Sequence, residues 1–377
     1  MKRKWAWLAM VLALMLVVAA CGDADADGTT TTADGDTGTT AAEGEPLRVA
    51  FVYVGPVGDA GWTWAHDQGR LQLEAEVPNV ETKFLESIPE GSESQRVFEE
   101  LAEDGFDLIF GTSFGYMDPM LAAAEKYPDT VFMHATGYKT STNMGTYFGA
   151  AEEGRYLTGM AAGNATESDL VGYVAAFPIP EVLRGINAFA LGVKEVNPDA
   201  KVQVVWSNTW LDANLERQAA EALLDAGADV LAMHQDTPAT GQAAEAVGAK
   251  WVGYNSDGER FAQDAWLTAP IWNWGPFYVA TAEQVRNGTW VSEQFYGDMT
   301  GGMVDIAPFG ASVPQDVQDS IMERKAQIID GSFEVFEGPI VDQDGTERYA
   351  AGVVAPLGEL LGMDYLVDNV IGSPTGG

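Results

Sequence analysis

Positive charge and histidine are scarce in this chain, and cysteine is almost absent. Lys and Arg number 20 against 56 Asp and Glu, with three His and one Cys in 377 residues. One cysteine cannot close an internal disulfide. The histidines, at 66, 134 and 234, are far apart, and no HExxH, P-loop or G-x-G-x-x-G spacing occurs, so neither a metal nor a nucleotide cofactor is expected. Acidic residues are so abundant that paired carboxylates carry no catalytic information. A formal net charge of −36 repels nucleic acid and anionic lipid alike, which excludes both as partners by affinity of charge. After Ala20 no apolar run is long enough to span a bilayer.

What is present begins with a leader. Lys2, Arg3 and Lys4 precede an apolar run from Trp5 to Ala20, the layout of a secretory signal. It closes on Val18-Ala19-Ala20-Cys21, which resembles a lipobox, so Cys21 is expected to be lipidated and to anchor the mature chain at the outer face of the cell membrane. Residues 22–46 are rich in Thr, Asp, Gly and Ala, with seven acids and no base, and cannot bury enough apolar surface to order themselves. They read as a disordered tether. Removing the three leader cations and the seven tether acids leaves −32 on the body.

From Arg48 onward, short β-rich runs alternate with helical stretches: strands over 49–54, 81–85, 107–112 and 130–135, with helices over 59–76, 92–104 and 119–127 between them. The order restarts at Leu170, with strands over 170–176, 201–206, 229–234 and 250–254 and helices over 181–196, 215–226 and 241–247. Strands apolar on both faces, separated by helices, predict an α/β fold of two doubly wound parallel-sheet lobes. The segment Glu152–Ala162, with small residues at Gly154, Gly159 and Gly163, would link them. The first lobe is expected over 47–150 with return segments from about 275–368, the second over 165–274, and a flexible tail over 369–377.

In open α/β sheets ligands bind beyond the carboxyl ends of the strands, so two facing lobes place one site in the cleft between them. The residues at those ends are unusually aromatic. Trp62, Phe114, Phe177 and Trp206 offer faces for stacking; Asn208, Asp236, Asn255 and Asp257 can read a ligand's polar edge; Trp210, Trp272 and Trp274 would form walls. A planar base suits this set, and a sugar stacking on the same rings remains an alternative. Roughly half of these aromatics are expected to plug the core beneath the loops instead. Trp251, Trp266 and Trp290 read as structural. His134 reads as a core histidine, while His66 and His234 lie nearer the cleft, where turn or helix-end hydrogen bonding is an equally good account.

Val49–Gly69 (VAFVYVGPVGDAGWTWAHDQG), Gly111–Asp118 (GTSFGYMD), Tyr147–Gly163 and Gly253–Asp257 (GYNSD) together resemble the basic membrane protein family, the PnrA-like substrate-binding lipoproteins of ABC importers. The resemblance implies a type I periplasmic-binding-protein fold, a multi-crossover hinge, a nucleoside or purine ligand and an ABC permease as partner. Nucleoside-binding members carry Asp-x-x-Phe-Asn where this chain has Asp59-Ala-Gly-Trp62-Thr63, and Gly-Val-Asp-x-Asp where it has Gly253-Tyr-Asn255-Ser-Asp257. Both departures fall where a ribose is recognised, so the resemblance points to the branch that takes free purine bases such as adenine. The expectation is a monomeric, non-enzymatic receptor. A receptor feeding a chemoreceptor or kinase is the first alternative, and an extracytoplasmic nucleoside hydrolase the second.

Overall fold

The computed structural model describes residues 44–376. The leader, Cys21 and nearly all of the tether lie outside the described residues. Beyond Gly44 the chain runs β1 (Leu47–Val52), α1 (Trp62–Glu76), β2 (Val80–Leu85), α2 (Ser92–Glu103), β3 (Leu108–Gly111), α3 (Met117–Lys126), β4 (Val131–Ala135) and β5 (Met144–Gly149). After the linking helix α4 (Ala151–Ala165) come β6 (Leu170–Ala175), α5 (Pro180–Val196), β7 (Lys201–Trp206), α6 (Ala213–Asp225), β8 (Val230–His234), α7 (Ala239–Val247), β9 (Lys250–Val252) and β10 (Trp266–Thr268).

Each set forms a parallel sheet. The first is ordered β2-β1-β3-β4-β5 and the second β7-β6-β8-β9-β10. Val49, Phe51, Val52, Leu108, Ile109 and Phe110 are fully buried, as strands covered by helices on both faces require. In both sheets the chain reverses direction across the sheet at the first strand, beside β3 in one and β8 in the other. Those two switch points face the same cleft.

The rest of the chain crosses between lobes as β11 (Pro270–Trp272), α8 (Gly275–Arg286), β12 (Gln294–Gly297), β13 (Val304–Ile306), α9 (Gln315–Asp330), β14 (Ile340–Val341), β15 (Glu347–Tyr349), α10 (Leu357–Leu361) and β16 (Val370–Ile371). Here the sequence expectations need three corrections. The return to the first lobe is short: α8 packs on α1 and β12 adds to the outer edge of β5, but α9 packs on α4 and α10 on α5. The segment 369–377 is not a loose tail, because Val370 and Ile371 pair in parallel with β7 and Trp206 Nε1 donates to Ser373 O at 3.0 Å. Strand β5 is an addition; its Met-Gly-Thr-Tyr-Phe-Gly composition lacks β-branched aliphatics, yet all six residues are buried.

Helix α4 is buried along most of its length. It meets α5 at backbone contact: a methyl group added at Gly159 would lie 2.1 Å from Phe189 O, and one at Gly192 would lie 2.0 Å from Tyr156 O. Only glycine permits that approach. The closeness carries Glu152 and Arg155 of α4 and Arg184 of α5 into the region between the sheets.

Candidate functional site

The β1–α1 loop is shaped by one carboxylate. Asp59 accepts from the backbone N–H groups of Gly61 and Trp64 at 2.9 Å and of Thr63 at 2.8 Å, so α1 starts at Trp62 rather than at Asp59. These bonds favour ionised Asp59, but burial outweighs them and its carboxyl lies above its ordinary range. The helix start aims Trp62 across the end of β1, where its Nε1 donates to Thr112 O beyond β3.

Trp62 is one wall of a cavity between the two sheets. Val54, Ser113, Phe114 and Thr136 complete the first lobe's share, from loops after β1, β3 and β4. The second lobe supplies Glu181, Trp210, His234, Asp236 and Tyr254. Glu181 is set by Pro180 at the first position of α5, where an acid also suits the helix dipole. The two lobes touch at the rim: Ser256 Oγ donates to Ala60 O, and a methyl at Gly61 would meet Asp236 O at 2.7 Å. The cleft is thus closed. Ala60, Thr136, Asn208 and Asn255 all have positive φ (66°, 69°, 55° and 71°) in the loops beyond the strands. Such strain is retained where surrounding structure over-determines it, commonly at binding sites.

No lysine or arginine lines this cavity. Burial pushes Asp236 well above the usual carboxylate range; Asp59, Glu216 and Glu181 add to that, and a hydrogen bond from Asn255 Nδ2 at 3.2 Å opposes it. Burial likewise lowers His234 to about 4, only partly countered by Glu181, whose Oε1 lies 3.5 Å from Nε2. His234 is therefore a neutral ring at neutral pH, and the upward shift of Asp236 favours its protonated form, in which a donor and an acceptor lie side by side. Behind them Arg155 donates to Met233 O at 2.8 Å and lies 3.6 Å from the ring centre of Tyr254.

Of the residues expected at the site, the structure brings together Trp62, Phe114, Trp210 and Asp236. The others stand back. Trp272 and Trp274 stack on each other at 4.7 Å and pack edge-on behind Trp62, at 6.0 and 5.8 Å. Asn255 is a link between Asp236 and Trp272, whose Nε1 donates to its Oδ1 at 2.8 Å. Phe177 props Trp210 edge-on at 5.0 Å. Thr63 is buried in α1, Trp206 turns toward Ser373, and Asn208 and Asp257 are exposed. His66 stacks on Trp274 at 4.6 Å in the core, and His134 is fully buried in β4 with its pKa lowered to about 4 by burial.

Ser113, just beyond the end of β3, joins the lining, as do Glu181, Tyr254 and Thr136, which had not been singled out. An acid in a helix's first turn reads as ordinary capping, and Tyr254 is hidden beside Asn255. Gly111-Thr-Ser113-Phe-Gly115 does match the G-x-S-x-G spacing of a nucleophile elbow. Its Ser113 Oγ, however, donates to Glu90 at 2.5 Å and not to a histidine ring.

Two parallel-sheet lobes closed over an aromatic, cation-free cavity define a solute receptor of the periplasmic-binding type. The family model for PnrA-like ABC transporter substrate-binding proteins matches residues 47–333, and the chain belongs to that family. It is 45% identical to a purine-binding protein of Brucella abortus, over 88% of this chain and 95% of that one. It is also 45% identical to a protein of Haloferax volcanii named for glucose binding by an ABC transporter, over 81% of this chain and 78% of that one. Among solved structures, a solute-binding protein of an ABC transporter system from Aeropyrum pernix shares the fold with a TM-score of 0.68 at 17% identity, covering 77% of this chain and 93% of its own. One from Conexibacter woesei does so with a TM-score of 0.63 at 23%, covering 76% and 98%. The protein is a substrate-binding component of an ABC transporter, of an extracytoplasmic family that takes a small-molecule ligand and hands it to a permease.

Proposed function

We propose that the ligand is a free purine base, adenine or a close relative, held in the cavity between Trp62 and Asp236. The observation that carries this is the combination of four aromatic side chains with a buried carboxyl, Asp236, whose burial favours its protonated form, and no cation. Flat rings stack on a base, and the adjacent donor and acceptor of Asp236 complement the alternating edge atoms of a purine. An anionic nucleotide would find only acids. A monosaccharide, the rival supported by the Haloferax relative, brings hydroxyls all round its ring, and each one left unpaired costs about 1–3 kcal/mol. Five of the ten lining residues, Val54, Trp62, Phe114, Trp210 and Tyr254, are aliphatic or aromatic, which favours the base. The relative with 95% coverage is named for purine binding, in agreement.

Calorimetry on ligand-stripped protein should give adenine or another free purine tighter binding than adenosine, guanosine or glucose. Tighter nucleosides would replace the base with its nucleoside; preference for glucose would overturn the purine reading altogether. The same protein should return every ligand chemically unchanged, since it is a monomeric receptor and not a hydrolase. Its attachment is proposed to be a lipid on Cys21, so Cys21→Ser should move the protein from the membrane fraction to the soluble one.

A further inference from the structure

A second cavity opens beside the first. The two share Phe114, Thr136 and Glu181, which form a neck between them. Beyond the neck the walls come from β5 and β12 of the first lobe, the first turns of α5, and Leu361 at the end of α10. They are rich in rings: Tyr147, Phe148, Phe295 and Tyr296 all face this space. Arg184 is there too, but its charge is already matched. Its Nε donates to Glu152 at 3.3 Å, its Nη1 donates to Leu360 O at 3.1 Å, and Glu152 also accepts from Tyr296. The compartment therefore does not call for a phosphate. Two features are unexplained by packing alone. Thr146, fully buried, and Thr136 each have a buried hydroxyl with no hydrogen-bond partner, and both line the compartment. Thr136 also sits at φ 69°, an outlier for a β-branched residue. Buried unpaired hydroxyls lining a cavity are what a ligand atom would satisfy.

We propose that this compartment is a second subsite, which takes an exocyclic substituent on the base: a mainly apolar, ring-sized group bearing one hydroxyl. The ligand class is then the substituted purine bases rather than the ribonucleosides. A ribose, with several hydroxyls, would find ring faces where it needs partners. This inference rests on the purine reading above and deepens it.

The test compares adenine, N6-benzyladenine, N6-(3-hydroxybenzyl)adenine and adenosine by calorimetry on the ligand-stripped full chain. The benzyl compound should bind roughly tenfold or more tightly than adenine, from apolar area buried beyond the neck, with the hydroxyl adding a further gain. Thr146→Val, which keeps shape and removes the hydroxyl, should erase that second gain. Leu361→Trp, at a half-exposed position, should bring the ratio of benzyladenine to adenine affinity toward one. Trp290→Ala, outside both cavities, should alter neither ratio. Adenine binding as well as or better than its benzyl derivative, with ratios untouched by Leu361→Trp, would make the space a solvent passage and overturn the subsite while sparing the purine reading. Adenosine binding most tightly of the four would overturn the subsite's class. Binding of no purine at all would overturn both.

Discussion

The two lobes contribute to one cavity in different chemical currencies. The first supplies Val54, Trp62, Ser113, Phe114 and Thr136, with no ionisable group among them; the second supplies Glu181, His234 and Asp236 beside its two aromatics. The first lobe's half is therefore a shape, indifferent to pH, and the second lobe's half is a polarity tuned by burial. Dividing the work in this way means that each lobe alone offers an incomplete site. Ligand contacts from both sides favour the closed state over the open one, which is how such a receptor reports occupancy to its permease.

The largest effect should come from the first lobe. Trp62→Ala removes a stacking face, worth about 1–3 kcal/mol per base, and also the packing of Trp272 and Trp274 behind it. Calorimetry should show adenine affinity reduced by about 100-fold, with the loss equal at pH 6 and pH 8. Next is the second lobe. Asp236→Ala should cost roughly 10- to 100-fold, the cost of a lost buried hydrogen-bonding partner. Asp236→Asn, which resembles the protonated acid, should keep most of the affinity and flatten its fall at alkaline pH. If both lobes' variants showed the same pH dependence, the contrast between shape and polarity would fail.

The smallest effect concerns stability without ligand. Burial raises Glu216 to about 7, although Thr237 Oγ1 donates to it at 2.6 Å. A carboxyl whose folded pKa is raised stabilises fully below its unfolded value of 4.5, and that stabilisation is lost as pH climbs through about 7. His234, lowered to about 4, acts oppositely and withdraws stability as pH falls from 6.5 toward 4. Glu216→Gln isolates the first contribution. Relative to the native protein, its melting temperature should rise by a few degrees between pH 5 and pH 8, and a constant offset would refute the assignment.

The alternation of apolar strands and helices made both sheets visible in the sequence, because parallel strands covered on both faces must be apolar throughout. Parity was not visible. Trp206 and Trp210 lie four residues apart around one strand end, yet one turns to the C-terminal segment and the other to the cavity. Trp62, Trp272 and Trp274 form one cluster of which only the first reaches the ligand space, since rings from two distant segments share a wall one ring deep. Glu181 was illegible for another reason: a residue with an ordinary local role, opening a helix behind proline, acquires its second role only when the lobes meet. The Val-Ile pair near the C-terminus did carry a strand's signature, but too short a one to stand out from a tail.

That pair has a consequence for how the chain assembles. The outer strand of each sheet arrives late: β12 joins β5 from nearly 150 residues downstream, and β16 joins β7 from about 170. Neither lobe is a contiguous stretch of polypeptide: the edge of β5 stays open to wrong partners until residues 294–297 have been added, and that of β7 until residues 370–371. High contact order of this kind slows folding. Cutting the chain at α4 would strip β12 from β5 and leave the first sheet with a bare edge, whereas every strand of the second sheet, β16 included, lies on the C-terminal side of the cut.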